Sequence, residues 1–165
     1  MRSMMRSIFS TRCTKHIDAH ETALFDERSF YFRFCKDLKA AKTEVIIESP
    51  FLTQKRTTEL HDTFQELRKR GVAISVYTRE PNHHEWLLRK ESNAAIKVLR
   101  SADVRVFLCS DMRHRKLAII DNNTLWEGSL NILSQSKSRE LMRRTNSRAL
   151  CLQILAFTGL TKKYW

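Results

Sequence analysis

The sequence predicts an α/β fold, an α/β/α sandwich around a mixed central sheet, and three observations carry that expectation. Between residues 26 and 108, segments with helical apolar spacing alternate with short apolar runs of strand length. Two further runs then follow each other across Asn122-Asn123, which reads as an antiparallel hairpin. With two prolines and three glycines in 165 residues, no Pro/Gly-rich linker divides the chain, and it carries no internal repeat.

Each element has its own warrant. Residues 26–42 place Phe30, Phe34, Leu38 and Ala41 at helical spacing, an amphipathic helix whose Phe stripe faces the core rather than serving as a base-stacking platform. Glu44–Ser49 reads as a strand, running on into Pro50-Phe51-Leu52. Over residues 55–70, Leu60, Phe64 and Leu67 share one helical face, and Arg-Lys-Arg before Gly71 makes a sound stop. Val72–Thr78 is the next strand, residues 84–101 the next helix, and Val104–Leu108 another strand. Beyond the hairpin, a polar helix is expected near 136–146 and a short apolar strand at Ala149–Leu155. The expected division is a basic arm over 1–20, one domain over 21–158 and a short tail over 159–165.

Charge separates this chain from an ordinary globular domain. Thirty Lys and Arg against eighteen Asp and Glu leave a net charge of +12, while the 42% hydrophobic content is unexceptional. The excess gathers at the ends. Residues 1–17 hold Arg2, Arg6, Arg12 and Lys15 without an acid, and residues 137–165 oppose seven Lys and Arg with Glu140 alone. A flexible basic arm touching nucleic acid is the simpler reading of the first segment, with a mitochondrial presequence as the alternative. No run of about eighteen apolar residues occurs, so no membrane span is expected. The four cysteines show no ligand spacing, and Cys109 and Cys151 read as buried small hydrophobes. Adjacent His83-His84 would point to opposite faces of a strand, which argues against a metal pair. Reduced thiols fit a cytoplasmic setting.

The chemistry is concentrated in residues 114–131, His-Arg-Lys-Leu-Ala-Ile-Ile-Asp-Asn-Asn-Thr-Leu-Trp-Glu-Gly-Ser-Leu-Asn, which reduce to H-x-K-x4-D-x6-G-S-x-N. In an extended strand His114 and Lys116 share a face about 7 Å apart. An imidazole can attack phosphorus, and an ammonium beside it can neutralise a non-bridging oxygen. Asp121 has the opposite parity and lies roughly 23 Å along such a strand from His114. Its expected role is therefore to bond the backbone of the tight turn that follows. If the two strands pair, Gly128, Ser129 and Asn131 return toward His114. Gly128 then allows close approach, and Ser129 and Asn131 offer hydrogen bonds to phosphate.

This pattern resembles the HKD signature of the phospholipase D superfamily, and the chain is similar over roughly residues 20–155 to its single-motif, Nuc-type endonucleases. The resemblance implies the phospholipase D-like fold and the catalytic set His114, Lys116 and Asp121, with Lys116, Ser129 and Asn131 on the substrate phosphate. It implies that His114 forms a covalent phosphohistidine and that no cofactor or metal is needed. Because the chain has one motif only, the second histidine would come from another copy, with the site on the two-fold axis of a homodimer. With the basic charge, the implied partner is nucleic acid, DNA before RNA. Relatives carry an acid in an Asn-Ser-Glu context. Here Asn146-Ser147 is followed by Arg148, leaving Glu140, Glu127 or Glu48 as substitutes. Arg79 and His83-His84, near the carboxyl end of a strand, are expected to edge the groove. Two rival functions stay open: a phospholipid-directed phosphodiesterase or phosphatidyltransferase, and a weakly active nucleic-acid-binding module.

Overall fold

The computed structural model describes residues 21–134 and 137–160. The expected basic arm (1–20) and most of the expected tail (161–165) lie outside the described residues. In chain order the elements are β1 (Glu21–Asp26), α1 (Phe30–Ala40), β2 (Glu44–Glu48), α2 (Gln54–Lys69), β3 (Ala73–Arg79), a 3-10 turn (Pro81–His83) and α3 (Trp86–Ser101). They continue with β4 (Arg105–Cys109), β5 (Leu117–Ile120), β6 (Thr124–Gly128), β7 (Leu141–Asn146) and α4 (Arg148–Thr158). All seven strands join one mixed sheet in the order β1-β7-β6-β5-β2-β3-β4. Strands β2, β3 and β4 run parallel, and every other neighbouring pair is antiparallel. This is the α/β fold expected from the alternation.

The two faces of the sheet are covered unequally. The larger core cluster takes Phe30, Phe34 and Leu38 of α1, Leu60, Phe64 and Leu67 of α2, and Ala95, Ile96 and Leu99 of α3. Among the described helices, α4 alone reaches the second cluster, where its Cys151 and Leu155, with Leu160 beyond it, meet Ile46, Leu117, Ile119 and Leu125. The Phe stripe is core, as its spacing implied: the Phe30 and Phe34 rings meet Trp126 edge-on at 5.1 and 6.0 Å. Full burial of each phenyl contributes roughly 2–3 kcal/mol. Cys151 is buried, and burial pushes its thiol up to about 11. Cys109, expected to be buried, is only partly so at the end of edge strand β4.

Three elements differ from expectation. The polar stretch near 136–146 is not a helix but ends in strand β7, with Met142 and Arg144 buried on one face. Arg144 is tolerated inside because Asp37 of α1 accepts its guanidinium at 2.7 and 3.2 Å and also accepts Trp126 Nε1 at 2.9 Å. A buried cation therefore broke the apolar alternation that would have marked a strand. Ala149–Leu155 lies in helix α4, not a strand. Ser147 caps it by accepting from Leu150 N at 3.2 Å, and Gly159 ends it at φ 69°. A short apolar run does not distinguish helix from strand by period alone. Strand β1 was not foreseen, because its side chains are mostly exposed on the sheet edge and carry no buried alternation.

The hairpin is present, with its turn one residue earlier than expected. Asp121 and Asn122 take φ values of 54° and 52°, the positive pair a type I′ turn requires and Asp and Asn tolerate. The Asp121 carboxylate does not bond its own turn. It accepts from Lys42 N at 2.9 Å, Thr43 N and Thr43 Oγ1 at 2.8 Å, and Glu44 N at 3.0 Å. Asp121 thus ties the hairpin to the chain between α1 and β2. Burial works against its charge, but these donors outweigh burial and hold the carboxyl below its ordinary range. A carboxyl depressed in the folded state stabilises above its unfolded value near 3.9 and loses that contribution as pH falls through the folded value. Asp121→Ala is accordingly expected to lower unfolding free energy by about 2 kcal/mol near neutral pH. Urea titrations should show the gap from wild type narrowing in acid. Equal midpoints at pH 7 would mean the four bonds contribute nothing net.

Candidate active site

His114 and Lys116 precede β5 rather than lying within it, since that strand begins at Leu117. What fixes this lead-in is a buried carboxylate. Glu48, the last residue of β2, is fully buried and receives Arg115 Nε and Nη2 at 2.8 and 3.0 Å and Arg113 Nη1 at 3.3 Å. Arginines on either side of His114 are drawn onto Glu48, so His114 and Lys116, of the other parity, are directed away from it. Glu48 therefore does not contact the histidine, although it was one of the acids considered for that role.

The His114 side is an exposed imidazole above a buried ammonium. Lys116 Nζ lies 2.9 and 3.1 Å from the two ring nitrogens of His114 and donates to the His114 carbonyl at 2.8 Å. This is much closer than an extended strand would give, because the lysine folds back on the preceding residues. Phe51 stands edge-on to the His114 ring at 6.3 Å, with the Arg79 guanidinium 5.3 Å from the Phe51 ring. Arg79 also donates to the carbonyls of Arg113 and Met112 at 2.7 and 3.2 Å, bracing the segment from the end of β3. The Lys116 charge, then desolvation and Arg79, hold the imidazole below the ordinary histidine range. Burial likewise lowers the Lys116 pKa, with Glu140 opposing it. A ring kept neutral at pH 7 retains the lone pair a nucleophile needs.

The Gly-Ser-x-Asn segment comes back to the same end of the sheet. Gly128 N donates to the Lys116 carbonyl at 3.2 Å. A Cβ at Gly128 would collide with the Leu141 carbonyl and come within 2.9 Å of Met142 Cα, so the approach of β7 requires glycine. Ser129 was expected to offer its hydroxyl to phosphate, but its one proton goes to Glu140, and its oxygen accepts from Leu141 N at 3.1 Å. Glu140 also accepts from Ser138 Oγ at 2.6 Å. Asn131 leads a turn anchored on three elements: Leu133 N donates to Ser49 Oγ at 3.2 Å, Thr53 N to the Leu133 carbonyl at 2.9 Å, and Tyr31 to the Ile132 carbonyl at 2.8 Å. Asn131 Oδ1 is buried without a hydrogen-bond partner among the described residues.

The structure therefore joins His114, Lys116, Ser129 and Asn131 at one end of the sheet and puts Asp121 at the other. Opposite ends of β5 pair with Glu127 and Thr124, and β7 follows the same division. The same division separates the Asn146-Ser147-Arg148 segment from the site. Asn146 bonds Thr124 and Glu21, Ser147 caps α4 and Arg148 opens it, all at the Asp121 end. Arg148 therefore replaces nothing at the site, and the acid beside Lys116 and Ser129 is Glu140. Phe51 was not singled out by spacing, and Glu140 was one of three acids that spacing left open. Only proximity in the fold reveals the one and selects the other.

This constellation on this fold defines a phospholipase D-like domain, and the chain belongs to that family: residues 34–157 match the family model described as cardiolipin synthase, PLD-like domain. The structure is similar to that of Nuc from Salmonella typhimurium, a phospholipase D family member, at TM-score 0.70 and 19% identity over 84% of this chain and 91% of that one. NucT from Helicobacter pylori gives TM-score 0.67 and 19% identity over 84% and 92%. TrmBL2, an archaeal chromatin protein with a described mode of DNA binding, gives 0.57 and 10% over 84% and 50%. No curated protein sequence matches the chain.

The electrostatic arrangement has a direct readout. In an NMR titration, the His114 ring should protonate below the free histidine value of about 6.5. In Lys116→Gln its midpoint should move up, because the nearest cation is gone. A midpoint unmoved by that substitution would disprove the assigned cause.

Proposed function

We propose that this protein is a phosphodiesterase that cleaves nucleic acid, with DNA as the first candidate, through a covalent phosphohistidine formed on His114. The observation that carries the reading is the exposed His114 ring held 2.9 Å from the Lys116 ammonium, whose charge favours the neutral imidazole. The net charge of +12 supports a polyphosphate substrate, since phosphate contacts dominate affinity for nucleic acids. Nuc, whose fold this chain shares, supports the same class by analogy.

In this reaction a ring nitrogen of His114 attacks phosphorus. A P–N bond forms as the P–O bond to the leaving group breaks, and a second histidine protonates the departing oxygen. Water, deprotonated by that second histidine, then attacks phosphorus and releases His114. Lys116 neutralises a non-bridging oxygen, Asn131 binds the phosphate, and Glu140 with Ser129 supports the lysine. The second histidine is His114 of another copy, so the working unit is a homodimer. Asp121 serves the fold, not the reaction. No metal or cofactor takes part in these steps.

A second reading has one observation in its favour. An apolar groove of about 480 Å³, lined by Leu24, Leu141, Ile154 and Phe157, reaches Lys116 and Gly128. An acyl chain there with its phosphodiester at Lys116 would make the enzyme lipid-directed. The two readings part on substrate. Wild type is expected to cleave plasmid DNA or single-stranded oligonucleotides in EDTA, with His114→Ala losing at least a thousandfold while still binding them. Turnover of phospholipid vesicles without nucleic-acid cleavage would instead establish the lipid reading.

A further inference from the structure

The outer face of α3 has no place in the chemistry above, yet its composition is selective. Trp86, Lys90, Asn93, Lys97 and Arg100 recur at intervals of four and three, with Arg89 beside Lys90, so the six line one side of the helix. All six are exposed. Trp86, Arg89, Lys90, Asn93 and Lys97, with Ala94, border an open groove of about 460 Å³. The one acid within the helix, Glu91, lies off this side, and its carboxylate accepts from Gln54 N at 3.1 Å. Every charged residue of the exposed stripe is thus a cation, with a tryptophan at one end.

That end adjoins the site. His84, just before the helix, has its ring 5.2 Å from Phe51, and Phe51 is the ring beside His114. One residue, Glu85, separates His84 from Trp86, a reach of at most about 7 Å. Arg89 reinforces the junction by donating to the carbonyls of Asn82 and His84 at 3.3 and 3.5 Å. His84 is itself 93% buried, and its Nε2 has no partner among the described residues. That leaves an unspent polar atom between the reacting histidine and the stripe. Trp86 is 67% exposed, which is costly for so large an apolar surface unless something covers it. Lys90 Nζ lies 5.7 Å from its ring, keeping cation and aromatic face together.

We propose that α3 is a track for single-stranded nucleic acid: a base flanking the scissile phosphate stacks on Trp86, and the following phosphates run along Lys90 and Lys97. The assignment rests on the nucleic-acid reading of the site and names the strandedness of its substrate. A stacking ring followed by spaced cations suits a single strand, whose bases are free to leave their partners, and is tolerant of sequence. The helix rises about 1.5 Å per residue, so Trp86 to Arg100 offers roughly 21 Å of track, enough for several nucleotides. Charge decides the occupant, because the stripe carries cations at every turn.

The test compares wild type, Trp86→Ala, Trp86→Phe and the double variant Lys90→Ala/Lys97→Ala. Fluorescence anisotropy measures binding to an oligothymidylate long enough to span the helix, and bis-p-nitrophenyl phosphate reports the chemistry without a flanking strand. Trp86→Ala should weaken oligothymidylate binding by roughly tenfold or more, Trp86→Phe should keep most of it, and hydrolysis of the small diester should be unchanged. The lysine pair should lower the slope of log affinity against log salt by roughly 1.4. Wild-type affinity and salt slope retained by all three variants would overturn the track while leaving the nuclease reading intact. Loss of anionic-vesicle sedimentation or of the oligomer in Trp86→Ala, with oligothymidylate binding unchanged, would also overturn it and assign the face to a membrane or a second copy. A wild type that hydrolyses the small diester but binds no oligothymidylate would remove the nucleic-acid reading itself, and the track with it.

Discussion

The arrangement of the site depends on one buried carboxylate. Glu48 closes β2 at the heart of the sheet, where an uncompensated charge would cost several kcal/mol. Its compensation comes from Arg115 and Arg113, which are chain neighbours of His114 on either side. Satisfying Glu48 thereby sets the rotation of the whole lead-in to β5. Once both arginines turn toward β2, the intervening histidine and the following lysine can only turn the other way. A hydrophobic residue at position 48 would fill the space equally well but would leave this segment without a defined twist.

A second carboxylate does comparable work at the far end of the same strand. Asp121 gathers three amides and a hydroxyl from residues 42–44, fixing the hairpin turn to the start of β2. Strand β5 is only four residues long and fully buried, so it is held at both ends by ionic or charge-assisted contacts to β2 and its approach. The aspartate of the motif and the arginines flanking its histidine therefore solve one problem, the placement of β5, although only the histidine faces the proposed chemistry.

What could be read in the sequence follows from how local each signal was. The motif, the Phe30–Phe34 stripe, the helix stop at Gly71 and the parallel strands are all written in spacing. The separation of Asp121 from His114 followed from strand parity alone, although its bonding partners lie about 80 residues earlier and left no local trace. The C-terminal third was misread for the opposite reason. Arg144 is buried because Asp37, on the first helix, neutralises it, and nothing near residue 144 announces that. The acid is a different case, since Glu140 was among three acids left open and lies eleven residues from Ser129. An Asn-Ser pair at 146–147 drew attention to Arg148, whereas the register of β7 on β6 places Glu140 beside Ser129.

Glu140 also bears on how the site sustains its concentration of positive charge. Lys116 is about nine-tenths buried, Arg79 stands near it, and both lower the proton affinity of His114. Left unopposed, burial would drive the lysine toward its neutral form. Glu140 opposes that shift from the adjacent strand, and Ser129 and Ser138 hold its carboxylate in place with their hydroxyl protons. Glu140 thus favours the charged lysine, whose Nζ, among the described residues, meets His114 rather than a carboxylate that the substrate would have to displace. In the proposed reaction the incoming phosphodiester would meet a neutral nucleophile and a preformed cation together. This is the division of labour that attack on an anionic phosphorus centre demands.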